Sequence, residues 1–277
     1  MAKAVLALAG GALALWAGAG FVLWRWQEKL IFFPKPPPPG VARELADMAV
    51  EIAAPDGAVL RGWEHPGNAF APPTDCRLMI YFGGNNEEVS DHITDNGGRF
   101  SCPQWYINYR GFGESGGAPA ADALRADALL VFDEAAKKLE LRENEVCVLG
   151  RSLGSHMAAH VAANRPVKKL IMVTPFDSVL NIAKTRYPIF PVQRILRHPF
   201  DTLAEAPHIS APSLFLLAET DYVVPHAHSE NLIANWPAAH TVVHLPETTH
   251  ADIADAPSYW RAITHFMSPD IPPEDGE

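Results

Sequence analysis

The sequence predicts an α/β fold: a mostly parallel sheet with helices on both faces and a small cap, preceded by an N-terminal transmembrane helix. Three observations carry this expectation. Short apolar runs alternate with helical patterns along most of the chain. One passage, VCVLGRSLGSHMAAHVAAN (146–164), reads as an apolar strand, a glycine-flanked serine and then at once an alanine-rich helix. Near the start, residues 4–24 form 21 positions without a charge.

That chargeless stretch is long enough, as a helix, to cross a hydrocarbon core of about 30 Å. Trp24 and Trp26 stand at its far end, where aromatic rings favour the membrane interface. Ala17-Gly18-Ala19 resembles a signal-peptide cleavage site, but the apolar run continues beyond it and only Lys3 supplies a basic leader. A retained anchor over residues 1–29 is therefore expected. Arg25, Lys29 and Lys35 follow the run, against Lys3 before it, and this charge count favours a cytoplasmic domain. Residues 30–40 read as a proline-rich linker, stiff enough to hold the next domain off the membrane. On this reading the anchor adds nothing to the core, so a chain starting near Val41 should keep its fold.

Residues 41–277 read as one domain. Strands over 48–54 and 58–65 flank Pro55-Asp56-Gly57, a hairpin pattern. Apolar runs at 77–82, 104–109, 145–150, 169–174, 213–218 and 241–245 look like buried parallel strands. Helical patterns lie at 120–139, 153–164, 226–235 and 252–267, and the alternation implies βαβ units. Residues 175–208 mix aromatics, prolines and arginines and read as the cap, with an ordinary crossover helix as the alternative. A hairpin followed by such units is the α/β-hydrolase layout, and Ser152 then follows the fifth strand, where that fold carries its nucleophile.

The chemistry is read from that point outward. A G-x-S-x-G elbow needs a strained turn between strand and helix, and Gly150 and Gly154 leave the room for it. Gly113-Glu114-Ser115-Gly116-Gly117 matches the same pattern, but no helix follows directly, so Ser115 reads as a turn residue. A serine needs a base, and the base an acid to orient it, in the chain order Ser, Asp/Glu, His. Asp221 lies just beyond the strand 213–218 and His250 in the loop after 241–245, which makes them acid and base. Asp177 is a rival acid one strand earlier; Asp252 and Asp255 read as helix caps. His240 and His244 lie at or inside a strand, and His198 and His208 fall in the cap. The oxyanion hole is expected from the backbone N–H groups of Leu153 and Asn85, with Gly83 and Gly84 letting the loop approach the substrate.

Composition narrows the alternatives. A formal net charge of −10 argues against nucleic acid. No zinc spacing is present, and His226 and His228 read as exposed histidines opening a helix, so neither metal nor organic cofactor is expected. Cys76 and Cys102 each precede a strand, and neighbouring strands about 4.8 Å apart would allow a Cys76–Cys102 bridge, leaving Cys147 free. Two unpaired thiols in a reducing compartment are the alternative. A bridge would instead put the domain on the external, periplasmic side, against the charge count.

Taken together, FGGNNEE, NYRGFGESGG, GRSLGS, TPFDS, ETDYVVP and TTHAD resemble the membrane-anchored α/β-hydrolases related to ABHD-type lipases, with bacterial members of prolyl-oligopeptidase-like type. The likeness runs from the apolar helix and EKLIFFP to about residue 267. Most such proteins have His-Gly at Gly83-Gly84 and an aspartate at Asn108. The resemblance implies hydrolysis of an ester, thioester or acyl lipid. The expectation is a serine hydrolase acting on a small-molecule or lipid ester through an acyl-enzyme. A serine peptidase and a non-catalytic interaction protein are the alternatives.

Overall fold

In the computed structural model, which describes residues 1–268, the elements run in this order. First come α1 (Ala2–Ile31), α2 (Val41–Glu44), β1 (Ala49–Ala53), β2 (Val59–His65) and β3 (Leu78–Phe82). Then follow α3 (Ser90–Asn96), β4 (Gln104–Ile107), α4 (Ala121–Lys138), β5 (Val146–Arg151), α5 (Leu153–Asn164) and β6 (Lys169–Val173). The chain continues through α6 (Val179–Arg186), α7 (Val192–Ile195), α8 (Thr202–Glu205), β7 (Ser213–Thr220), α9 (His226–Ala234), β8 (His240–Thr249) and α10 (Pro257–Met267). The strands form one sheet in the order β1-β2-β4-β3-β5-β6-β7-β8. β1 and β2 pair antiparallel, β2 joins β4 antiparallel, and every later pairing is parallel.

The central strands are apolar on both faces because each face is covered. Leu78, Ile80, Phe82, Val146 and Val148 pack with Leu124, Phe132, Met157 and Val161 of α4 and α5. Met79, Tyr81, Leu149, Ile171 and Val173 form the other layer with Ile93 of α3 and Tyr259, Ile263 and Met267 of α10. Those α10 positions recur at helical spacing, which makes one buried stripe. In α5, Ala158, Ala159 and Ala162 are buried, and their small side chains let the helix lie close on the sheet. The α3 segment, SDHITDN, is too short and polar to show a helical period, and the sequence gives no sign of it.

The cysteines correct the expected pairing. Cys76 is disulfide-bonded to Cys147, with Cα atoms 5.8 Å apart, and Cys102 is the buried free thiol. Because β3 lies between β4 and β5, a residue preceding β3 has neighbours on both sides. Along the chain β4 is the next strand after β3, but in the sheet β5 is equally near.

The segment after α1 corrects the expected spacer. Phe32 is buried in the main core, edge-on to Phe200. The Phe33 N–H donates to the Asn85 carbonyl (2.9 Å), and the Gly113 N–H donates to the Lys35 carbonyl (2.9 Å). Gln27 is buried as well, donating to the Ile195 carbonyl (3.0 Å) and accepting from the Arg197 N–H (2.6 Å). Residues 27–35 thus belong to the packed domain rather than holding it at a distance. α1 has non-helical torsions at Trp26 (φ −116°, ψ 18°). There Gln27 and Arg197 side chains both donate to the Trp24 carbonyl, drawing it out of the helix's own ladder.

Two outcomes test this description. Phe32→Ala should cost about 3–5 kcal/mol, the usual loss for a buried aromatic, measured by denaturant unfolding of the full chain in detergent. An unchanged midpoint would remove residue 32 from the core. Mass spectrometry of the alkylated, non-reduced chain should find Cys102 as the modified thiol; alkylated Cys76 or Cys147 would contradict the bridge.

Candidate active site

β5 ends and α5 begins with one residue between them, and that residue, Ser152, has φ 53° and ψ −117°. A non-glycine residue at positive φ is strained and persists only where its surroundings hold it. Here the Ser152 N–H extends the sheet by donating to the Val173 carbonyl (2.9 Å), while the Ser152 carbonyl accepts from the Ser155 N–H (2.9 Å). Both flanking glycines are required by contact. A Cβ on Gly150 would overlap the Gly154 carbonyl, and one on Gly154 would overlap the Phe82 carbonyl of β3.

His250 stands between Ser152 and Asp221. Its Nε2 lies 3.0 Å from Ser152 Oγ and its Nδ1 2.7 Å from Asp221 Oδ2. Strand register explains the meeting. β7 and β8 run longer than their apolar cores suggest, and past an irregularity at 218–220 they pair Thr220 with Thr249. Asp221 and His250 are the next residue of each strand, so they leave the sheet side by side. Asp221 Oδ1 accepts from the N–H groups of Val223 (2.9 Å) and Val224 (2.7 Å), which fixes the carboxylate's orientation.

The loop after β3 faces the same serine. A Cβ on Gly84 would sit 3.6 Å from Ser152 Cβ. The Gly84 N–H is engaged by Glu87 Oε2 (2.9 Å). Among the described residues, the N–H groups of Asn85 and Leu153 have no protein acceptor. The Asn85 side chain donates to the Ile31 carbonyl (2.7 Å), so the end of α1 braces this loop. Tyr109 braces it from the other side through a hydrogen bond to the Gly83 carbonyl (2.8 Å).

Two residues that the sequence reading did not single out tie these loops together. Glu87 accepts from Gly84 N–H, from Tyr81 Oη (2.7 Å) and from the Arg151 guanidinium. Arg151, directly before the serine, also donates to the carbonyls of His250 (2.8 Å) and Ala251 (2.9 Å). Burial alone would raise the Glu87 pKa, but the Arg151 charge and the Tyr81 and Gly84 hydrogen bonds hold it below the ordinary carboxylate value. His92 stacks on Tyr81 at 4.0 Å, and burial pushes it down to about 4, which leaves it neutral at pH 7. An acidic and a basic residue adjoining the two glycine motifs were the available signals, but single charges near loops rarely announce a pair.

The other candidates lie elsewhere. Asp177 is buried and accepts from Ser178 N–H, Asn181 and Asn231 Nδ2 and meets His228 Nδ1 at 3.0 Å, away from His250. His228 is therefore buried, not exposed as expected. Ser115 Oγ accepts from Arg61 N–H (2.8 Å) and donates to the Asn108 carbonyl (3.0 Å), a turn clamp. Asp252 accepts from the Thr249 N–H (2.5 Å). His198 Nδ1 accepts from the Ala121 N–H (3.2 Å). Asn108 has its own logic: its amide donates to buried Glu88 while its Oδ1 accepts from Val89 N–H (3.1 Å). An aspartate there would face Glu88 with like charge.

No protein-family model matches the chain. It is 26% identical over 278 residues to the α/β hydrolase domain-containing protein WAV2 of Arabidopsis thaliana, covering 89% of each chain. It is 25% identical over 175 residues to the uncharacterized membrane protein YNL320W of Saccharomyces cerevisiae, covering 61% of this chain and 62% of that one. Among solved structures, an α/β-hydrolase from Vibrio vulnificus superposes with a TM-score of 0.65 at 16% identity, covering 82% of this chain and 86% of that one. The chain has the α/β-hydrolase fold and is similar to ABHD-related proteins. This likeness and the fold agree with the resemblance seen in the motifs.

The Glu87–Arg151 pair yields a pH-dependent outcome. Glu87→Gln should lower stability at pH 7 by roughly 2 kcal/mol, less than the 3–5 of a fully dry pair because water reaches part of both side chains. A depressed folded-state pKa means the stabilisation is present above the ordinary glutamate value of about 4.3 and lost as pH falls through the lowered one. The melting difference between wild type and Glu87→Gln should therefore shrink below about pH 4. A difference independent of pH would mean that the carboxylate charge contributes nothing.

Proposed function

We propose that this protein is a membrane-anchored serine hydrolase that cleaves carboxylic esters through an acyl-enzyme. The observation that carries the reading is His250 bridging Ser152 Oγ and Asp221 at hydrogen-bond distance. In the proposed sequence, Ser152 Oγ attacks the ester carbonyl carbon while His250 Nε2 takes its proton. Asp221 holds the imidazole with Nδ1 protonated and stabilises the imidazolium that forms. The charge on the former carbonyl oxygen is met by the Asn85 and Leu153 N–H groups, the latter at the start of α5. His250 returns the proton to the departing alkoxide, and water, activated by the same imidazole, then releases the acid and regenerates Ser152.

The strained Ser152 backbone and the two glycines that permit it also support this reading. We assign the anchor to α1, the one helix among the described residues long and apolar enough to cross a membrane. The name of the yeast relative, a membrane protein, supports that assignment. The Cys76–Cys147 disulfide favours an external, oxidising side for the domain over the weak charge count around α1. We treat residues 175–208 as the cap, since α6, α7 and α8 all fall between β6 and β7.

A fluorophosphonate probe and a panel of esters of graded acyl length test the function. Ser152→Ala should abolish labelling and turnover while the fold persists, and Ser115→Ala should stay active. Asp221→Asn should lower kcat by a factor on the order of 10⁴, as for a serine protease's triad aspartate. Equal labelling of wild type and Ser152→Ala, or greater damage from Asp177→Asn than from Asp221→Asn, would overturn the assignment.

A further inference from the structure

The cap and the apolar helix are in direct contact, at a point well inside the chargeless run. Trp16 Nε1 donates to the Ile189 carbonyl (2.9 Å), and its ring stacks on Phe190 with centroids 5.9 Å apart. Gly20 lies against the same ring, where a Cβ would come within 3.5 Å. Farther along α1, Arg197 pairs with Glu28 (2.6 Å) and lies 5.5 Å from the Trp24 ring centroid. With Gln27 buried beside it, the depth of the cap relative to α1 is set by packing.

That depth has a consequence. Trp24, Arg25, Trp26, Lys29 and Arg197 are the side chains that mark a membrane interface. Trp16 lies about 12 Å from Trp24 at 1.5 Å per residue. A hydrocarbon core of about 30 Å that covers residues 4–24 therefore also covers Ile189 and Phe190. The tip is built for it. Ile189 is 69% exposed. Pro188 and Pro191 carry no N–H, and the Phe190 N–H is satisfied by the Tyr187 carbonyl (3.1 Å).

Above the tip, α1, α6 and α7 enclose a cavity of about 130 Å³. Leu23, Leu30, Ile31, Ile182, Val192 and Ile195 line it. A cavity of about 150 Å³ with such a lining accepts benzene, so this one has room for a stretch of one hydrocarbon chain. It begins at Leu23, inside the apolar run, and ends at Ile31, whose carbonyl holds the Asn85 side chain of the proposed oxyanion loop. Residues 25–31 and 179–197 carry six cations against one acid, Glu28, in a chain of net charge −10.

We propose that the cap tip lies in the bilayer beside α1 and that this cavity draws in one acyl chain of an anionic membrane lipid, delivering its ester to Ser152 from the membrane side. The inference rests on the proposed hydrolase for the fate of that ester. The basic rim selects the headgroup, and the apolar walls take the chain.

The test uses the full chain in phosphatidylcholine vesicles, with readouts that need no turnover. A fluorophore on Ile189→Cys should be quenched more by doxyl groups at mid-chain than by doxyl groups at the headgroup. The reverse order would put the tip outside the hydrocarbon and overturn the proposal. Phosphatidylglycerol carrying a diazirine in its acyl chain should crosslink to peptides covering 179–196 on irradiation. Ala183 also lines the cavity, so Ala183→Trp, which fills it, should reduce that adduct about tenfold. The same diazirine chain on phosphatidylcholine should label about fivefold less. Adducts confined to residues 4–22, adducts unchanged by Ala183→Trp, or equal labelling by the two lipids would overturn the proposal. If Ala183→Trp does not fold, the wild-type adduct map decides alone. Persistent turnover by Ser152→Ala would sink the proposed function and leave these readouts intact.

Discussion

One ion pair, Glu87 with Arg151, spans the three loops that surround Ser152. Arg151 is the last residue of β5, so its backbone is fixed by the sheet, and its guanidinium reaches outward to the His250 and Ala251 carbonyls. Glu87 holds the other side through the Gly84 N–H. The Ser152 turn, a histidine loop and a glycine loop arise from separate strands, and no continuous backbone relates their positions. The fork of an arginine can meet several acceptors in one plane, which a lysine's point charge could not do. Losing either partner would leave a largely buried charge uncompensated and release two loops at once.

The sheet supplies the remaining precision. Ser152 takes the last rung of the β5–β6 ladder, and the Thr220–Thr249 pair brings the next residues of β7 and β8 together. The strain at Ser152 is tolerated because Gly150 and Gly154 let helix and strands close around it. Position along the chain matters less here than register: a slip of one residue would turn Asp221 or His250 to the wrong side of the sheet.

The N-terminal segment joins this system rather than standing outside it. Phe32 fills the core, the Ile31 carbonyl holds Asn85, and Gln27 fastens the end of α7. An apolar helix therefore bears on the loop that faces Ser152. The apolar helix and the site geometry are mechanically connected through residues 27–33.

The fold class, the two glycines that Ser152 needs beside it and the convergence of Asp221 and His250 on that serine were legible in the sequence. Apolar runs report strands directly, and the elbow's steric demands leave few residue types possible. The helix SDHITDN was not legible, because seven mostly polar residues carry no period. The Glu87–Arg151 pair was not legible either: its members are 64 positions apart and meet only because β3 and β5 are neighbours in the sheet. The same adjacency paired Cys76 with Cys147 instead of Cys102. Local chemistry thus determined which residues can act and which elements carry them. Strand order, a long-range property settled by packing both sheet faces at once, decided which distant residues touch, and with them the disulfide, the bracing of the site and the seat of the apolar N-terminal helix.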